Sequence, residues 1–175
     1  MNRRLKIMRS VCWALLILIP SMAFAGEPLS KFGWFADVVG SCWIGTFPDG
    51  TTQHSHCYSS QFDHFIRGTA TLAIRENGQM VEKFHGDSLF AWDEKAQRIV
   101  YYIWSSTGSH SQHEAMYEGD DLTFPIESKE EPGRITSRSI WQRIDRNSFE
   151  VRREVPEGEG WKSTLTVLYR RAETK

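Results

Sequence analysis

Two histidines two residues apart, His54 and His56, are the side chains of this sequence best suited to bind or react with another molecule. On a β-strand, residues i and i+2 point to the same face, so the two imidazoles would lie side by side. Such a pair offers two nitrogen ligands to a metal ion or to haem, which would need a third converging group. The histidines available for that role are His64, His85, His110 and His113. An ordinary role as surface or partly buried histidines fits them as well, so the identity of any metal stays unknown.

A predicted hairpin positions both histidines. Asp49-Gly50 lies between two β-prone runs, and an Asp-Gly pair is typical of tight turns because glycine adopts positive φ without steric cost. Pairing the two strands around this turn places Cys42 opposite Cys57. Since thiols are oxidised in extracellular compartments, we predict a Cys42–Cys57 disulfide, with two buried free thiols as the alternative.

The same pairing defines the face on which the histidines lie. Because side chains alternate along a strand, Trp43, His54, His56 and Tyr58 share the face opposite to the cysteines. We predict that this face lines a cavity suited to an apolar ligand with one polar end. An imidazole with a pKa of about 6.5 is charged at mildly acidic pH, so binding of an anionic ligand should weaken as the pH rises.

Two aromatic residues of a later strand complete the predicted ligand-binding set. Tyr102 and Trp104 belong to the run 98–106, which is apolar on both of its faces, and we assign them to the cavity wall. A sheet with one face in water would alternate more cleanly between apolar and polar residues. We therefore expect the outer face of this strand to be covered, either by the N-terminal helix or by a second copy of the chain in a homodimer.

The first 25 residues have the pattern of a secretory signal peptide. Four basic residues between positions 3 and 9 precede an apolar run over 11–19 and the cleavage sequence Ala23-Phe24-Ala25. The run is short for a spanning helix, which needs about 20 apolar residues, and we expect no membrane span in the mature chain. We predict export to the periplasm or the medium and a single mature domain over residues 26–175. Cleavage makes the chain more acidic than its formal net charge of −1, which argues against a nucleic-acid partner.

Turn signals at short intervals organise the mature chain. Residues 29–39 are predicted to form its only helix, which ends at Gly40. About nine or ten β-prone segments follow, and helices do not alternate with them, which argues against a parallel α/β sheet. An antiparallel meander of this length closes on itself because open edges invite pairing with other chains. We predict an all-β fold, an antiparallel up-and-down β-barrel with one short N-terminal helix, a two-sheet sandwich being the alternative.

Four segments carry a resemblance to a known superfamily. They are Gly40-Ser41-Cys42-Trp43-Ile44-Gly45, Ala91-Trp92-Asp93, Tyr101-Tyr102-Ile103-Trp104-Ser105-Ser106-Thr107-Gly108 and Thr166-Val167-Leu168-Tyr169-Arg170-Arg171. Their order after a short helix resembles the calycins, which include lipocalins, fatty-acid-binding proteins and bacterial lipocalin-like domains of unknown function. The resemblance implies that Arg170 or Arg171 covers Trp43. It also implies a barrel that binds a small apolar or amphipathic ligand without catalysis, and we expect no cofactor.

Two other functions stay open from the sequence. One is a haem- or metal-binding barrel that uses His54 and His56, and the other is a structural or assembly protein whose barrel is filled by side chains. Arginines near the C-terminus also have two interpretations, because they could hold a ligand carboxylate inside a barrel or pair with Glu150 and Glu154 outside it. These arginines are Arg138, Arg143, Arg152, Arg153 and Arg170.

Overall fold

The structure, a computed structural model, describes residues 29–173 of the 175-residue chain, and the predicted signal peptide, residues 1–25, lies outside them. A helix spans Ser30–Val38, and the strands are β1 (Ser41–Thr46), β2 (Thr52–Gln61), β3 (Phe65–Glu76), β4 (Gln79–Asp93), β5 (Arg98–Ser105), β6 (His110–Glu118), β7 (Asp121–Glu127), β8 (Ile135–Asp145), β9 (Ser148–Glu157) and β10 (Gly160–Arg171). Each strand pairs antiparallel with its neighbours in sequence, and β1 pairs with β10 to close the barrel. The predicted fold class is confirmed.

The β1–β2 hairpin has the predicted register. Gly50 has a positive φ of 69°, and the Asp49 carboxylate accepts hydrogen bonds at 2.8 Å from the backbone N–H groups of the two residues that follow Gly50. These contacts hold the turn, and the ladder beyond it pairs Cys42 with Cys57. The predicted Cys42–Cys57 disulfide is present and lies on the outer face of the hairpin.

The helix closes one end of the barrel. Its apolar residues Phe32, Phe35 and Val38 are buried, and the Tyr117 hydroxyl of β6 donates a hydrogen bond of 2.6 Å to the Phe32 carbonyl oxygen. The helix is of the 3-10 type and kinks at Gly33, where φ is 54°. A Cβ on Gly33 would lie only 2.8 Å from the Tyr117 hydroxyl, so the close approach of a strand distant in sequence also favours glycine at this position.

Trp43 packs at this closed end, against the last two strands. Its side chain is 2% exposed, its Nε1 donates a hydrogen bond of 3.1 Å to the Val38 carbonyl oxygen, and its ring centroid lies 5.1 Å from that of Phe149. Trp43 pairs with Arg171 across β1 and β10, and the guanidinium carbon lies 4.8 Å from the indole centroid. Arg171 is therefore the arginine that covers Trp43.

Charged side chains of the last strands form ion pairs across strands. Arg138 pairs with Glu154 at 2.9 Å, and Arg152 lies 3.5 Å from Glu150 and 3.8 Å from Glu154. Arg138 and Arg152 therefore have the ordinary cross-strand role that sheets commonly give to such residues. Both guanidinium groups are paired with carboxylates on the outer face, and neither lines the cavity inside the barrel.

Candidate ligand-binding cavity

A cavity of about 240 Å³ lies inside the barrel, beyond the core that packs against the helix. Residues of β2, β3, β4, β5, β7 and β8 form its wall. Six large aromatic side chains belong to this wall, those of Tyr58, Phe84, Phe90, Tyr101, Phe124 and Trp141. Side chains therefore fill the barrel at its helix end and leave the cavity beyond it. A structural protein with a completely filled barrel would have no such cavity.

Strand alternation brings one face of β2 into this wall. His54, His56 and Tyr58 all line the cavity, because every second side chain of a strand points inward. Ala70 of β3, which pairs with His56, and Gly86 of β4, which pairs with Ala70, continue the wall across the neighbouring strands. These two small residues leave the space that the aromatic rings then enclose.

The aromatic rings are held against one another. Phe90 and Tyr101 stack with centroids 5.3 Å apart, and Phe124 and Trp141 lie 4.8 Å apart. At the helix side of the cavity, Phe35 supports Trp141 edge-on at 5.8 Å. Edge-to-face and offset stacks of this kind are favourable beyond the area they bury, so the wall is a firm apolar surface.

Polar groups of β2 interrupt the apolar wall. His54 Nδ1 and the Tyr169 hydroxyl are 2.9 Å apart and share a hydrogen bond. The His56 ring stacks on the Tyr58 ring with centroids 5.7 Å apart. Among residues 29–173, the hydroxyl of Tyr58 is buried and has no hydrogen-bond partner. The histidine pair and this hydroxyl therefore form a small polar spot in a mostly apolar cavity.

Burial keeps these groups uncharged. Burial, with a smaller contribution from the neighbouring His54, lowers the pKa of His56 to about 3, and burial also lowers the pKa of His54. Burial raises the pKa of Tyr58 well above its usual value. The expectation of a cavity imidazole that gains its charge near pH 6.5 is therefore wrong, because transfer from water disfavours the charged form.

The structure separates the six predicted ligand-binding residues into three groups. His54, His56 and Tyr58 line the cavity, whereas Trp43 is buried at the helix end, outside the cavity wall. Tyr102 and Trp104 lie on the outer face of β5, with 38% and 48% of their surfaces exposed. Their assignment to the cavity wall was wrong because both faces of β5 are apolar, so periodicity alone could not identify the inner one.

Most of the cavity wall was not singled out from the sequence. Tyr101 and Ile103 of β5 face inward, where Tyr102 and Trp104 were predicted to do so. Phe124 and Trp141 belong to β7 and β8, for which no ligand-binding residue was predicted. Alternation predicts that Tyr101 and Ile103 share a face. No sequence signal distinguishes this face from that of Tyr102 and Trp104, because both faces of β5 carry large apolar side chains.

The histidine pair has no third ligand in the described part of the chain. There, no group of three or more His, Cys, Asp or Glu side chains converges to hold a metal ion. The ring centroids of His54 and His56 are 4.2 Å apart. His85 approaches Thr71, and His113 hydrogen-bonds the Ser111 hydroxyl at 2.8 Å. The pair therefore offers a metal two imidazoles and no preformed third position.

The fold and the cavity define the class of this protein, a closed ten-stranded antiparallel β-barrel with an aromatic internal cavity. No protein-family model matches the chain, and none of the curated proteins is significantly similar to it. Between residues 29 and 173, no helix is long and apolar enough to cross a membrane. The resemblance to calycins thus stays a prediction, and a function must be argued from the cavity itself.

Proposed function

We propose that the protein is an exported, lipocalin-like barrel that binds a small apolar or amphipathic molecule in its cavity, without catalysis. The observation that carries this proposal is the aromatic-lined cavity of about 240 Å³ inside the barrel. Ligand sites are concave, mostly apolar and supplied with a few placed polar groups. The cavity meets each of these criteria.

The volume of the cavity limits the size of the ligand. Pockets for drug-sized molecules are typically about 300–1,000 Å³, and this cavity is slightly smaller. A molecule of one or two fused rings, or a short branched chain, suits the space. Tyr101 and Trp141 would contact the flat faces or edges of such a molecule.

Tryptophan fluorescence tests the proposal. Trp141 lines the cavity and Trp104 lies on the outer face, so a Trp104→Phe background makes quenching report more directly on the cavity. We expect saturable quenching by the members of a panel of fatty acids, retinoids, naphthalene derivatives and haem that are small enough for this volume.

A matched pair of variants locates the bound molecule. Ala70→Phe should fill the cavity and abolish saturable quenching. Ala73→Phe adds the same ring on the same strand, at a position that pairs with Gln53 and does not line the cavity, so it should leave binding intact. Equal binding by both variants would show that the ligand is not in the cavity.

Haem or metal binding by His54 and His56 is the second candidate. Its support is the pair of adjacent imidazoles that face the cavity, and both are kept neutral, which is the form that binds a metal. Metal analysis and haem titration of the purified protein test it. A His54→Ala/His56→Ala variant should then lose the metal or the haem absorbance band, whereas a carrier of apolar molecules keeps binding them.

Export and self-association are proposed on separate grounds. The Cys42–Cys57 disulfide supports an oxidising compartment, and fractionation of expressing cells tests it. The stacked, exposed pair Tyr102 and Trp104 supports a homodimer through the outer face of β5. Sedimentation of the wild type against a Tyr102→Ser/Trp104→Ser variant measures whether that face holds two copies together.

A further inference from the structure

One arginine of β9 lies on the inner face of the barrel. Arg153 pairs with Ser139 of β8 and with Leu165 of β10. Residues that are directly paired across neighbouring strands point to the same side of a sheet. Ser139 lines the cavity and Leu165 packs against the core, so Arg153 occupies an inward position. The next residue along, Arg152, faces outward and pairs with carboxylates there.

The exposure of Arg153 shows where the barrel is open. On the same face of β9, Phe149 is 1% exposed and Val151 packs against the core, whereas Arg153 is exposed. Water therefore reaches the interior of the barrel from the end opposite to the helix. Arg153 borders the cavity wall at Ser139 without forming part of it. The open end of the cavity thus has a positive charge beside it.

The guanidinium of Arg153 has no partner in the part of the chain that the structure describes. Its side chain forms no ion pair or hydrogen bond there, whereas Arg152 and Lys162, on the same pair of strands, are both paired with glutamates. The neighbouring inward positions of β9, Val151 and Val155, carry no charge. A positive charge at a concave site without a counter-charge attracts an anion.

Aromatic rings lie next to this charge. Ser139, the partner of Arg153 on β8, also pairs with Phe124 of β7, and Trp141 is the next inward residue of β8. Phe124 and Trp141 both line the cavity, with their ring centroids 4.8 Å apart. Neighbouring strands are about 4.8 Å apart, a distance that an arginine side chain on β9 can cross. A ligand could therefore contact the guanidinium and these rings at the same time.

We infer that the ligand is a small aromatic monocarboxylate whose carboxylate binds the Arg153 guanidinium at the open end, while its ring enters the cavity against Phe124 and Trp141. This inference rests on the proposed function and narrows it to one ligand class. A guanidinium has only hydrogen-bond donors, and its planar fork matches the two oxygens of a carboxylate. One unpaired positive charge is balanced by one negative charge.

Three probes with the same ring system test the inference by calorimetric titration. They are 2-naphthoate, which is anionic, 2-acetylnaphthalene, which is neutral and similar in shape, and 2-(aminomethyl)naphthalene, which is cationic. We expect the wild type to bind the anion about tenfold more tightly than the ketone, because charge-assisted hydrogen bonds are roughly twice as strong as neutral ones. Water at the open end limits the gain to this size. The amine should bind most weakly.

Arg153→Gln should remove the preference for the anion and leave the affinity for the ketone unchanged. Arg170→Gln is the matched control and should behave as the wild type. Arg170 is exposed and follows the inward-facing Tyr169 on β10, so it lies on the outer face. Without ligand, Arg153→Gln should melt at the wild-type temperature, since the substitution breaks no ion pair of the described chain. A loss of binding by this variant is then not a loss of the fold.

The outcomes distinguish this inference from the proposed function. If 2-naphthoate and the ketone bind equally, if Arg153→Gln keeps the preference, or if Arg170→Gln loses it, the inference is overturned and the apolar carrier survives. Tightest binding of the amine also overturns it, and would show that acidic residues of the loops at the open end set the charge preference. If Ala70→Phe, which fills the cavity, abolishes binding of the ketone but not of 2-naphthoate, the anion binds outside the cavity and the inference is wrong. Failure of all three probes to bind counts against the proposed function and the inference together.

Discussion

Replacement of His56 by phenylalanine should make the protein less sensitive to acid. Burial, together with the nearby His54, lowers the pKa of His56 from 6.5 to about 3 in the folded state. In the unfolded chain the imidazole regains its ordinary pKa, so the unfolded state binds a proton as the pH falls below 6.5 while the folded state does not. His56 therefore stabilises the fold at neutral pH, and this contribution is lost between pH 6.5 and the folded value.

The two pKa values set the size of the effect. Linkage between proton binding and folding gives a loss of about 2 kcal/mol from His56 when the pH falls from about 7.5 to about 5. Carboxyl groups contribute little in this interval because their ordinary pKa values are about 4. Burial also lowers the pKa of His54. His54 therefore adds its own pH dependence to the stability of both the wild type and the variant.

Urea unfolding at the two pH values measures this difference. The free energy of unfolding of the wild type should fall by about 2 kcal/mol more than that of His56→Phe, whose ring packs in the same aromatic setting. His64→Gln, in an exposed turn, is the control and should follow the wild type. Equal losses in the wild type and His56→Phe would refute the burial of a neutral imidazole at this position.

Three further changes test the hairpin and the closed end of the barrel. Reduction of the Cys42–Cys57 disulfide, which spans a sequence separation of 15, should lower the free energy of unfolding by at most about 3 kcal/mol, and less where the hairpin keeps the strands together; a urea midpoint indifferent to reductant would contradict this. Trp43→Ala should cost about 3–5 kcal/mol through the cavity it leaves, and a near-wild-type thermal melt would place Trp43 outside the core. Gly45→Ala puts a Cβ 2.6 Å from a β10 side chain and should lower the free energy of unfolding by about 1–3 kcal/mol through overpacking. Gly160→Ala, whose Cβ would have its nearest neighbour at 3.9 Å, is the control and should have little effect. Equal stability of the two variants would mean that β10 moves to accommodate the added methyl group.

The local part of this structure could be predicted because short-range chemistry determines it. The Asp49-Gly50 turn fixes the register of its two strands, and that register places Cys42 beside Cys57 and His56 on the face of Trp43. Such contacts lie within a few residues of one turn and need no knowledge of the rest of the barrel. The closed antiparallel fold also followed, since turn spacing and the absence of alternating helices leave few other arrangements.

The cavity could not be predicted to the same degree, because its wall depends on residues far apart in the chain. Tyr101 and Tyr102 are the same kind of residue. Tyr101 points inward and Tyr102 outward only because of the way the barrel closes. Within residues 29–173 the Tyr58 hydroxyl has no hydrogen-bond partner. That depends on which groups other strands bring near it, which the sequence does not show. The lowered pKa of His56 is likewise a consequence of burial, which sequence periodicity does not measure.

The helix that closes the barrel limits the order in which parts of the protein can fold. Phe35 precedes all ten strands in the chain, yet its ring packs against Trp141 of β8, and the neighbouring Trp34 contacts Phe149 of β9. Contacts between segments so far apart are slow to form, because a long loop must close before they stabilise anything. The helix is made before all ten strands, so its contacts with β8 and β9 form only after nearly all the rest of the chain has emerged. Folding of this barrel should accordingly be a late event that follows release of the whole chain, during which the apolar face of the helix is exposed.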